Sequence, residues 1–552
     1  MRCFAVIFAA MTMMLTACVP AELPVVEVNL EFEEISIAAL LDNPTGDCLV
    51  VADIFRGGHP EVLWGSLNEG MKLLGWEEDA ALSEPWIRDL NIDGYGCLVA
   101  DVTRDRLVDL IIPGQRPPQI HLQLPNRWFY QSELLLRRID FENHVAQRGA
   151  AIADLDGDGS NELIFGAGAL QNDVRCEQNG SDVQCFAENN NGERIDPLPS
   201  RNKVLSLRRS IVYRDATAEF RPPLKPGLTL GLDTVFQPGS TEIGLLEVND
   251  FDGNRLLVSN EHGRLRDVAT DKGLGARNHG MGSAQGDFNG DGLSDIFITD
   301  MGASAYFEAQ QDGMYLDRAV DSGIAALTKD HISWGTEAWD MDNDGDLDIL
   351  VGSSFTSLPD QVGEAASESA RRDSTPDVRT FAADEQMDLV LVNNGEGVFG
   401  ALPAVRPFPK TLRGIMFRQS LIQAADLDND GLSDLIIADP YNGLRIYKNT
   451  TPPEFVGNWL KVRLRGPWSN SQGIGSRIYI RPIGGSLDGV EQFRDIRGNS
   501  AGGHGPRFAH FGLGDATAAE VWVIWQDQSM SEVVEHKAGI DVVVNFSQDW
   551  SW

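Results

Sequence analysis

One acidic pattern occurs four times in the chain, and each copy runs directly into three apolar residues. The pattern reads D-x-[D/N]-x-D-G-x-x-[D/E], and the copies begin at Asp154, Asp287, Asp340 and Asp426. Carboxylates packed this densely repel one another unless a cation lies between them. Oxygens at positions 1, 3, 5 and 9, with the backbone carbonyl of position 7, match the roughly six to eight oxygen ligands of Ca²⁺, and the glycine at position 6 permits a sharp turn. The pattern therefore predicts about four bound Ca²⁺ ions.

The predicted ligands occupy the same five positions in every copy. They are Asp154, Asp156, Asp158, Ser160 and Glu162; Asp287, Asn289, Asp291, Leu293 and Asp295; Asp340, Asp342, Asp344, Asp346 and Asp348; and Asp426, Asp428, Asp430, Leu432 and Asp434. An EF-hand is excluded, because position 12 is apolar where that loop needs a bidentate glutamate, and strand-like runs replace the flanking helices. The site predicted is a strand–loop–strand cation site.

Weaker copies of the pattern extend the repeat along the chain. They begin at Asp53, Asp101 and Asp233, and we expect them to keep the hairpin while lacking the metal. Four of the six steps between the seven openings are about 50 residues, which suits one four-stranded blade each. The fold predicted is all-β: a seven-bladed β-propeller followed by a small C-terminal β-domain. Insertions at 171–196 and 354–380 are expected to be loops that contact partners.

The N-terminus has the organisation of an export signal. Arg2 precedes an apolar run that ends at "LTAC". The segment resembles a bacterial lipobox, in which Cys18 becomes the lipidated first residue; an ordinary signal peptide is the alternative. Because Val19 is not the aspartate that retains lipoproteins at the inner membrane, the resemblance implies an exported, lipid-anchored protein at the outer membrane or cell surface.

Four further cysteines lie in the exported part, where disulfides are allowed. Cys48 and Cys97 precede two repeat openings by similar distances, so a bond between them would join neighbouring repeats. Cys176 and Cys185 bracket a short polar stretch, where a local bridge would fit. Free buried cysteines are the alternative for both pairs.

Composition and motifs limit the function. The net charge of −37 disfavours nucleic acid, and it leaves a lipid anchor as the expected route to a membrane. The sequence has no phosphate-binding G-x-x-x-x-G-K-[ST] and no H-E-x-x-H. His144, His279 and His331 precede their loops by similar distances, so they are candidates to converge on one mouth of the central channel. Strand-end histidines bonded to backbone are the alternative.

The residues also resemble known families. The four acidic loops resemble FG-GAP/VCBS repeats of integrin α propellers, and residues 254–274 resemble a stretch of the cartilage acidic protein-like group. "NWLKVRLRG", "GIGSRIYIRPIGG" and "RFAHFGLGDATAAEVWVIW" resemble the ASPIC/UnbV domain, whose usual Trp-Pro-x-Gly turn is replaced by "WQDQS" at 525–529. The implied domains are a signal peptide at 1–17, a tether and possible closing strand at 18–44, the propeller at 45–452 and the ASPIC/UnbV domain at 455–548.

These features predict a calcium-binding module at the cell surface. We expect a non-enzymatic adhesion or partner-binding protein whose ligand is a protein or a carbohydrate. The alternative is a hydrolase acting on polysaccharide or phosphoester at the channel mouth, where the three histidines would have to meet.

Overall fold

The computed structural model describes most of residues 30–547. The longest segments outside the description are 36–46, 354–385, 404–419 and 499–507, and shorter ones of up to six residues occur elsewhere. The second predicted insertion and His144 and His279 lie outside the described residues, as do Cys18 and the N-terminal signal.

Seven four-stranded antiparallel sheets are described between residues 32 and 449. Sheet 1 contains β2 (Cys48–Ala52), β3 (Glu61–Ser66), β4 (Gly70–Gly75) and β5 (Trp86–Asp89). Sheet 2 contains β6 (Leu98–Ala100), β7 (Asp109–Ile112), β8 (Gln119–Gln123) and β9 (Phe129–Gln131). Sheet 3 contains β10 (Val145–Ala153), β11 (Glu162–Gly168), β15 (Lys203–Ser206) and β16 (Arg214–Asp215). Sheet 4 contains β17 (Leu228–Phe236), β18 (Ile243–Asp250), β19 (Arg255–Ser259) and β20 (Leu265–Asp267).

The remaining three sheets follow the same order. Sheet 5 contains β21 (Ser283–Gly286), β22 (Asp295–Ile298), β23 (Ala305–Ala309) and β24 (Tyr315–Asp317). Sheet 6 contains β25 (Ser333–Trp339), β26 (Asp348–Ser353), β27 (Leu389–Asn393) and β28 (Phe399–Pro403). Sheet 7 contains β29 (Leu421–Ala425), β30 (Asp434–Asp439), β31 (Gly443–Asn449) and, as its outer strand, β1 (Phe32–Ile35). Short helices α1 (Glu133–Leu136), α2 (Thr217–Phe220) and α3 (Ile324–Thr328) connect strands.

The sheets are arranged as a β-propeller. Each pair of consecutive sheets encloses a buried apolar cluster, since the strands of both sheets present aliphatic side chains to the gap. A further cluster lies between sheets 7 and 1 and contains Leu49, Val62, Leu421 and Ile436. The ring therefore closes between its last and first sheets, and β1 ties the N-terminal side of the chain into sheet 7.

A disulfide also joins sheets 1 and 2. Cys48 and Cys97 are bonded, with their Cα atoms 5.4 Å apart, so the two cysteines link the openings of neighbouring repeats. Cys176 and Cys185 face each other in register on a separate pair of strands. Their side chains lie outside the description.

The insertion at 171–196 departs from the loop that the sequence predicted. It forms a three-stranded sheet of β12 (Val174–Asn179), β13 (Asp182–Glu188) and β14 (Arg194–Ile195). Its first two strands pair in register as a hairpin, and β14 pairs with β13. The insertion leaves the propeller between β11 and β15, at the end of sheet 3 opposite the acidic loop.

The predicted repeat opening at Asp233 is wrong. Asp233 lies within β17, paired with Leu246, and the turn begins only after Phe236. The hairpin survives, but its strands extend over the region that is loop in the other sheets. The short polar turn between β17 and β18 resembles the loops of the other sheets in sequence. In the structure, however, Thr234 and Val235 still pair with β18, so the strand continues past the predicted opening.

The C-terminal domain is a two-sheet β structure. One sheet pairs β35 (Phe508–Gly514), β32 (Asn458–Arg465) and β38 (Ile540–Asn545), and the other pairs β34 (Gln492–Asp495), β33 (Arg477–Ile483), β36 (Ala518–Ile524) and β37 (Val534–Lys537). Turns of 3-10 helix occupy Pro453–Phe455 and Trp468–Asn470. An apolar core that includes Leu460, Ile478 and Phe511 fills the domain. Among the described residues, no helix is long and apolar enough to cross a bilayer.

Candidate metal centre

Loops 1 to 7 are defined as the connections between the first and second strands of sheets 1 to 7. Loops 1, 2, 3, 5, 6 and 7 share one backbone shape: the residues at positions 4 and 6 both have positive φ. The pairs are Arg56 (53°) and Gly58 (94°), Arg104 (66°) and Arg106 (70°), Gly157 (72°) and Gly159 (83°), Gly290 (72°) and Gly292 (81°), Asn343 (60°) and Gly345 (100°), and Asn429 (57°) and Gly431 (90°). The glycine or asparagine at position 4 of the four full copies is a sequence signal that the ligand pattern overlooked, since these residues tolerate this conformation.

The aspartate at position 1 organises each full loop. In loop 5, Asp287 accepts the backbone N–H groups of Asp291 at 3.1 Å and Gly292 at 2.8 Å. Asp154 does the same in loop 3, with Asp158 at 3.1 Å and Gly159 at 2.9 Å. The carboxylate at position 1 is thereby fixed on the inside of the turn by the backbone.

The acid at position 9 acts as a clamp between the loop and the sheet. Asp348 accepts the N–H of Met341 at 2.9 Å and that of Asn393, on the third strand, at 2.9 Å. In loop 2, which lacks the full ligand pattern, Asp109 accepts the corresponding N–H groups of Val102 and Gln123 at 3.1 and 3.0 Å. The acid at position 9 therefore joins the loop to the sheet whether or not a metal is bound. In the four full copies this acid is Glu162, Asp295, Asp348 or Asp434.

Loop 6 concentrates the largest buried negative charge. One carboxylate oxygen from each of Asp340, Asp342 and Asp344 lies within 4.8 Å of the others. Asp340 is 1% exposed, and neither its Oδ1 atom nor Oδ1 of Asp342 has a hydrogen-bond partner. Burial, followed by repulsion from Asp344 and Asp342, raises the pKa of Asp340 well above its ordinary value. Buried oxygens of this kind are costly unless a proton or a cation satisfies them.

Loop 3 also brings three carboxylates together, whereas the three carboxylates of loop 5 are not among the described groups whose oxygens all lie within 4.8 Å of one another. Asp154, Asp156 and Glu162 bring carboxylate oxygens within 4.8 Å of one another. Burial raises the pKa of Asp154 to about 6 and that of Glu162 to about 9. In loop 5, Asn289 replaces one carboxylate with a neutral oxygen, and its amide donates to Asp291 at 3.2 Å. Both loops contain the oxygen set that a hard divalent cation prefers.

Loop 7 already contains two protein cations. Lys461 of the C-terminal domain donates to Asp426 Oδ2 at 2.5 Å, and both side chains are almost fully buried. Lys448 contacts Asp428 and donates to Asp430 at 2.8 Å. These amines lie against the three carboxylates that the sequence assigned to Ca²⁺, so a metal ion in loop 7 would have to displace them.

The C-terminal domain covers the loop side of the propeller. It reaches loop 1 through Arg463, which donates to Asp53 at 2.7 Å, and loop 2 through Gln472, which accepts the N–H of Asp101 at 2.9 Å. Arg497 donates to the buried Asp233 at 3.1 Å. The C-terminal domain therefore supplies cations to the first repeat, to loop 7 and to the inner strand of sheet 4.

His510, in the "HFGLG" segment, joins the two domains. Its ring stacks on Trp339 of the propeller with centroids 5.4 Å apart and on Trp459 at 6.4 Å. Nε2 donates to Asn343 Oδ1 at 2.5 Å, while the Asn343 amide donates to the carbonyls of Gly431 and Gly457. Burial lowers the pKa of His510 well below its ordinary value, so the ring is neutral. Nothing in the local sequence predicts the contact of His510 with loop 6.

Of the three histidines predicted to meet at the channel, the structure describes only His331. It is buried, its backbone N–H donates to Thr328 at 2.9 Å, and its Nδ1 has no partner. His144 and His279 lie outside the described residues, so their convergence stays a prediction.

The "WQDQS" segment forms a tight turn between β36 and β37, with Gln528 in the left-handed region at φ 66° and the Trp525 N–H donating to the Ser529 carbonyl at 2.9 Å.

Comparison with known proteins identifies two parts of the chain. Residues 287–351 match an FG-GAP-like repeat, and residues 466–549 match the family described as ASPIC and UnbV. The chain is similar to cartilage acidic protein 1 of Mus musculus, with 23% identity over 79% of this chain and 71% of that protein. The Homo sapiens protein of the same name is 22% identical over 79% of this chain and 69% of its own length. A crystal structure of BBS1N in complex with ARL6DN aligns with a TM-score of 0.40 and 8% identity, over 78% of this chain and 99% of that one.

Proposed function

Because the chain combines an FG-GAP-like repeat with an ASPIC/UnbV domain, we propose that it is an extracellular, calcium-stabilised propeller that binds a protein or carbohydrate partner without catalysing a reaction. FG-GAP repeats are typical of extracellular proteins. The calcium part of the proposal rests mainly on loop 6, where carboxylate oxygens of Asp340, Asp342 and Asp344 lie within 4.8 Å of one another. Oδ1 of Asp340 and Oδ1 of Asp342 are also buried without a hydrogen-bond partner. We propose tight Ca²⁺ sites in loops 3, 5 and 6, and a weaker site in loop 7 where two lysines compete.

The partner-binding part rests on which end of the propeller is free. The C-terminal domain contacts loops 1, 2, 6 and 7, so that end is covered. The connections between second and third strands lie at the opposite end, and they contain the three-stranded sheet β12–β14 and the insertion between β26 and β27. Inserted connections on a rigid scaffold are common places for recognition. We propose that the partner binds there, and that export and lipid attachment at Cys18 hold the protein at the outer membrane.

Calcium is tested by titrating chelated protein in a calorimeter and by recording its melting temperature with and without the ion. Each filled site should add about 2.7 kcal/mol to the free energy of unfolding when free Ca²⁺ is about 100-fold above Kd. About three tight sites and a clear rise in melting temperature are expected. An unchanged melting temperature and no binding heat would show that the acidic loops are not ligands.

Partner binding is tested with the calcium-loaded protein on an array of polysaccharides and on immobilised cell-surface proteins. Deleting residues 174–195 should abolish the signal and leave the melting temperature unchanged, because this sheet is an insertion between β11 and β15. Binding that survives this deletion would place the contact elsewhere. Turnover of phosphoester or glycoside substrates by the same sample would instead favour the hydrolase.

A further inference from the structure

The C-terminal domain contacts loop 6 mainly through its backbone. Gly512 donates its N–H to Asp340 Oδ2 at 2.9 Å, and Gly514 donates to the Asn343 carbonyl at 2.9 Å. Gly457, at the start of the C-terminal domain, donates to the Asp342 carbonyl at 2.9 Å. A side chain at Gly512 would begin 2.3 Å from Asp340 Oδ2, so the two surfaces touch directly. Docking therefore needs the carboxylates of loop 6 to stay in place.

Protein groups compensate the charge beneath this contact only in part. Loop 6 contains acids at positions 1, 3, 5, 7 and 9. Among the described residues, the one basic group within 4.0 Å of their carboxylates is Arg494, whose Nη2 atom is 4.0 Å from Asp340 Oδ2, beyond hydrogen-bond distance. Asp340 Oδ1 is buried without a partner. Covering these carboxylates with a second domain removes water from them, which is unfavourable unless a cation compensates.

Elsewhere on the same interface the compensating cation is part of the chain. Lys461 neutralises Asp426 in loop 7, and Arg463 neutralises Asp53 in loop 1. Both basic residues lie on β32, so docking of that strand carries its own positive charge to those loops. Loop 6 is contacted by the glycine-rich end of β35, which brings no charge. The cation that the C-terminal domain brings near loop 6 is Arg494 on β34, and this one guanidinium also faces Asp287 and Asp495, so it cannot neutralise the whole loop.

We propose that a divalent cation in loop 6 locks the C-terminal domain onto the propeller. This proposal rests on the proposed calcium sites. It adds that metal binding in loop 6 strengthens docking of the C-terminal domain, and that docking strengthens metal binding by the same free energy. Removing the ion leaves Asp340, Asp342 and Asp344 to repel one another beneath Gly512. The domain then loosens at loop 6 while Lys461 and Arg463 still hold it at loops 7 and 1.

The experiment is hydrogen–deuterium exchange on the full chain, read at the peptides covering 457–460 and 508–514. Chelation should raise exchange there at least about tenfold, because the Gly457, Gly512 and Gly514 amides lose their acceptors. Asp344→Asn should lose one calorimetric Ca²⁺ site and raise exchange in the same peptides even in Ca²⁺. Asn can still accept the Asp346 N–H that Asp344 accepts at 2.9 Å.

Asp291→Asn, at the same position of loop 5, is the matched control. It should also lose one Ca²⁺ site but leave exchange at 508–514 within about twofold of wild type. Bound calcium with unchanged exchange on chelation would overturn the lock and leave the calcium scaffold standing. Absence of any bound calcium would overturn both. Equal loosening by the two variants, or an unchanged number of sites in Asp344→Asn, would also overturn the lock.

Discussion

Loops 6 and 7 have closely similar sequences, "DMDNDGDLD" and "DLDNDGLSD", and the same backbone shape, yet different groups face their carboxylates. In loop 7, Lys461 and Lys448 contact Asp426, Asp428 and Asp430. In loop 6, the nearest basic group to Asp340 is 4.0 Å away. A ligand motif therefore specifies where oxygens converge, whereas the neighbouring domain specifies which cation compensates them.

The largest effect is expected from removing the internal cation of loop 7. Lys461→Met leaves Asp426 buried without its partner, which costs about 3–5 kcal/mol in a chelated sample. Excess Ca²⁺ should reduce this loss of unfolding free energy to about 1 kcal/mol, because loop 7 without the lysine has room for the ion, as loop 6 does. Urea unfolding with and without Ca²⁺ measures both values.

Lys448→Met is the control for this prediction, because Lys448 is 29% exposed and should cost at most about 1 kcal/mol. If Lys461→Met lost the same stability with and without Ca²⁺, loop 7 would be unable to bind the ion even without the Lys461 amine.

An intermediate effect is expected at position 4 of the two loops. Asn343→Ala removes the acceptor of His510 and the donor to Gly431 and Gly457, all at the domain interface. Asn429→Ala occurs at nearly the same φ, 57° against 60°, but its side chain is exposed and its contacts with His59 and Lys461 can be replaced by water. Both variants incur the strain of alanine in the left-handed region, about 1–2 kcal/mol. Asn343→Ala should lose roughly 1–3 kcal/mol more, from unsatisfied buried groups.

Thermal or urea unfolding of these two variants in Ca²⁺ gives the comparison. Equal losses would show that the contacts of Asn343 with the C-terminal domain contribute little to stability.

The smallest effect concerns the position-9 clamp in loop 1, where no metal is expected. Burial raises the pKa of Glu61 to about 8 from its ordinary 4.5. The native protein therefore keeps a proton that the unfolded chain releases, so this contribution to stability is present below pH 4.5 and is lost as the pH rises to about 8. Glu61→Gln can keep the acceptor for the Ile54 N–H, which Glu61 accepts at 2.8 Å, and does not titrate.

Unfolding free energies at pH 6.5 and 7.5 test this difference. The wild type should lose stability relative to Glu61→Gln over that interval, by at most about 1.4 kcal/mol. Parallel pH profiles for the two proteins would mean that Glu61 is ionised in the native state.

The sequence predicted the propeller and the loops more successfully than it predicted their surroundings. Period and apolar tails located the strands after Asp154, Asp287, Asp340 and Asp426, because local hydrogen bonds and burial of the following run are encoded within about twelve residues. The prediction was wrong at Asp233, where strand pairing extends through the expected opening. It also mistook the β12–β14 insertion for a loop, since polar residues conceal short paired strands.

Local sequence was sufficient for features that depend on near neighbours, such as the sharp turn of each full loop and the cluster of carboxylates. The clamp at position 9 was not predicted, because it joins Asp348 to Asn393 on the third strand. Contacts between residues far apart in the chain depended on the folded arrangement. Lys461 meets Asp426 and His510 meets Asn343 only because β32 and β35 are carried onto the loop side of the ring. Electrostatic compensation depends on distance in space, so the cation that each acidic loop receives was decided by how the two domains pack.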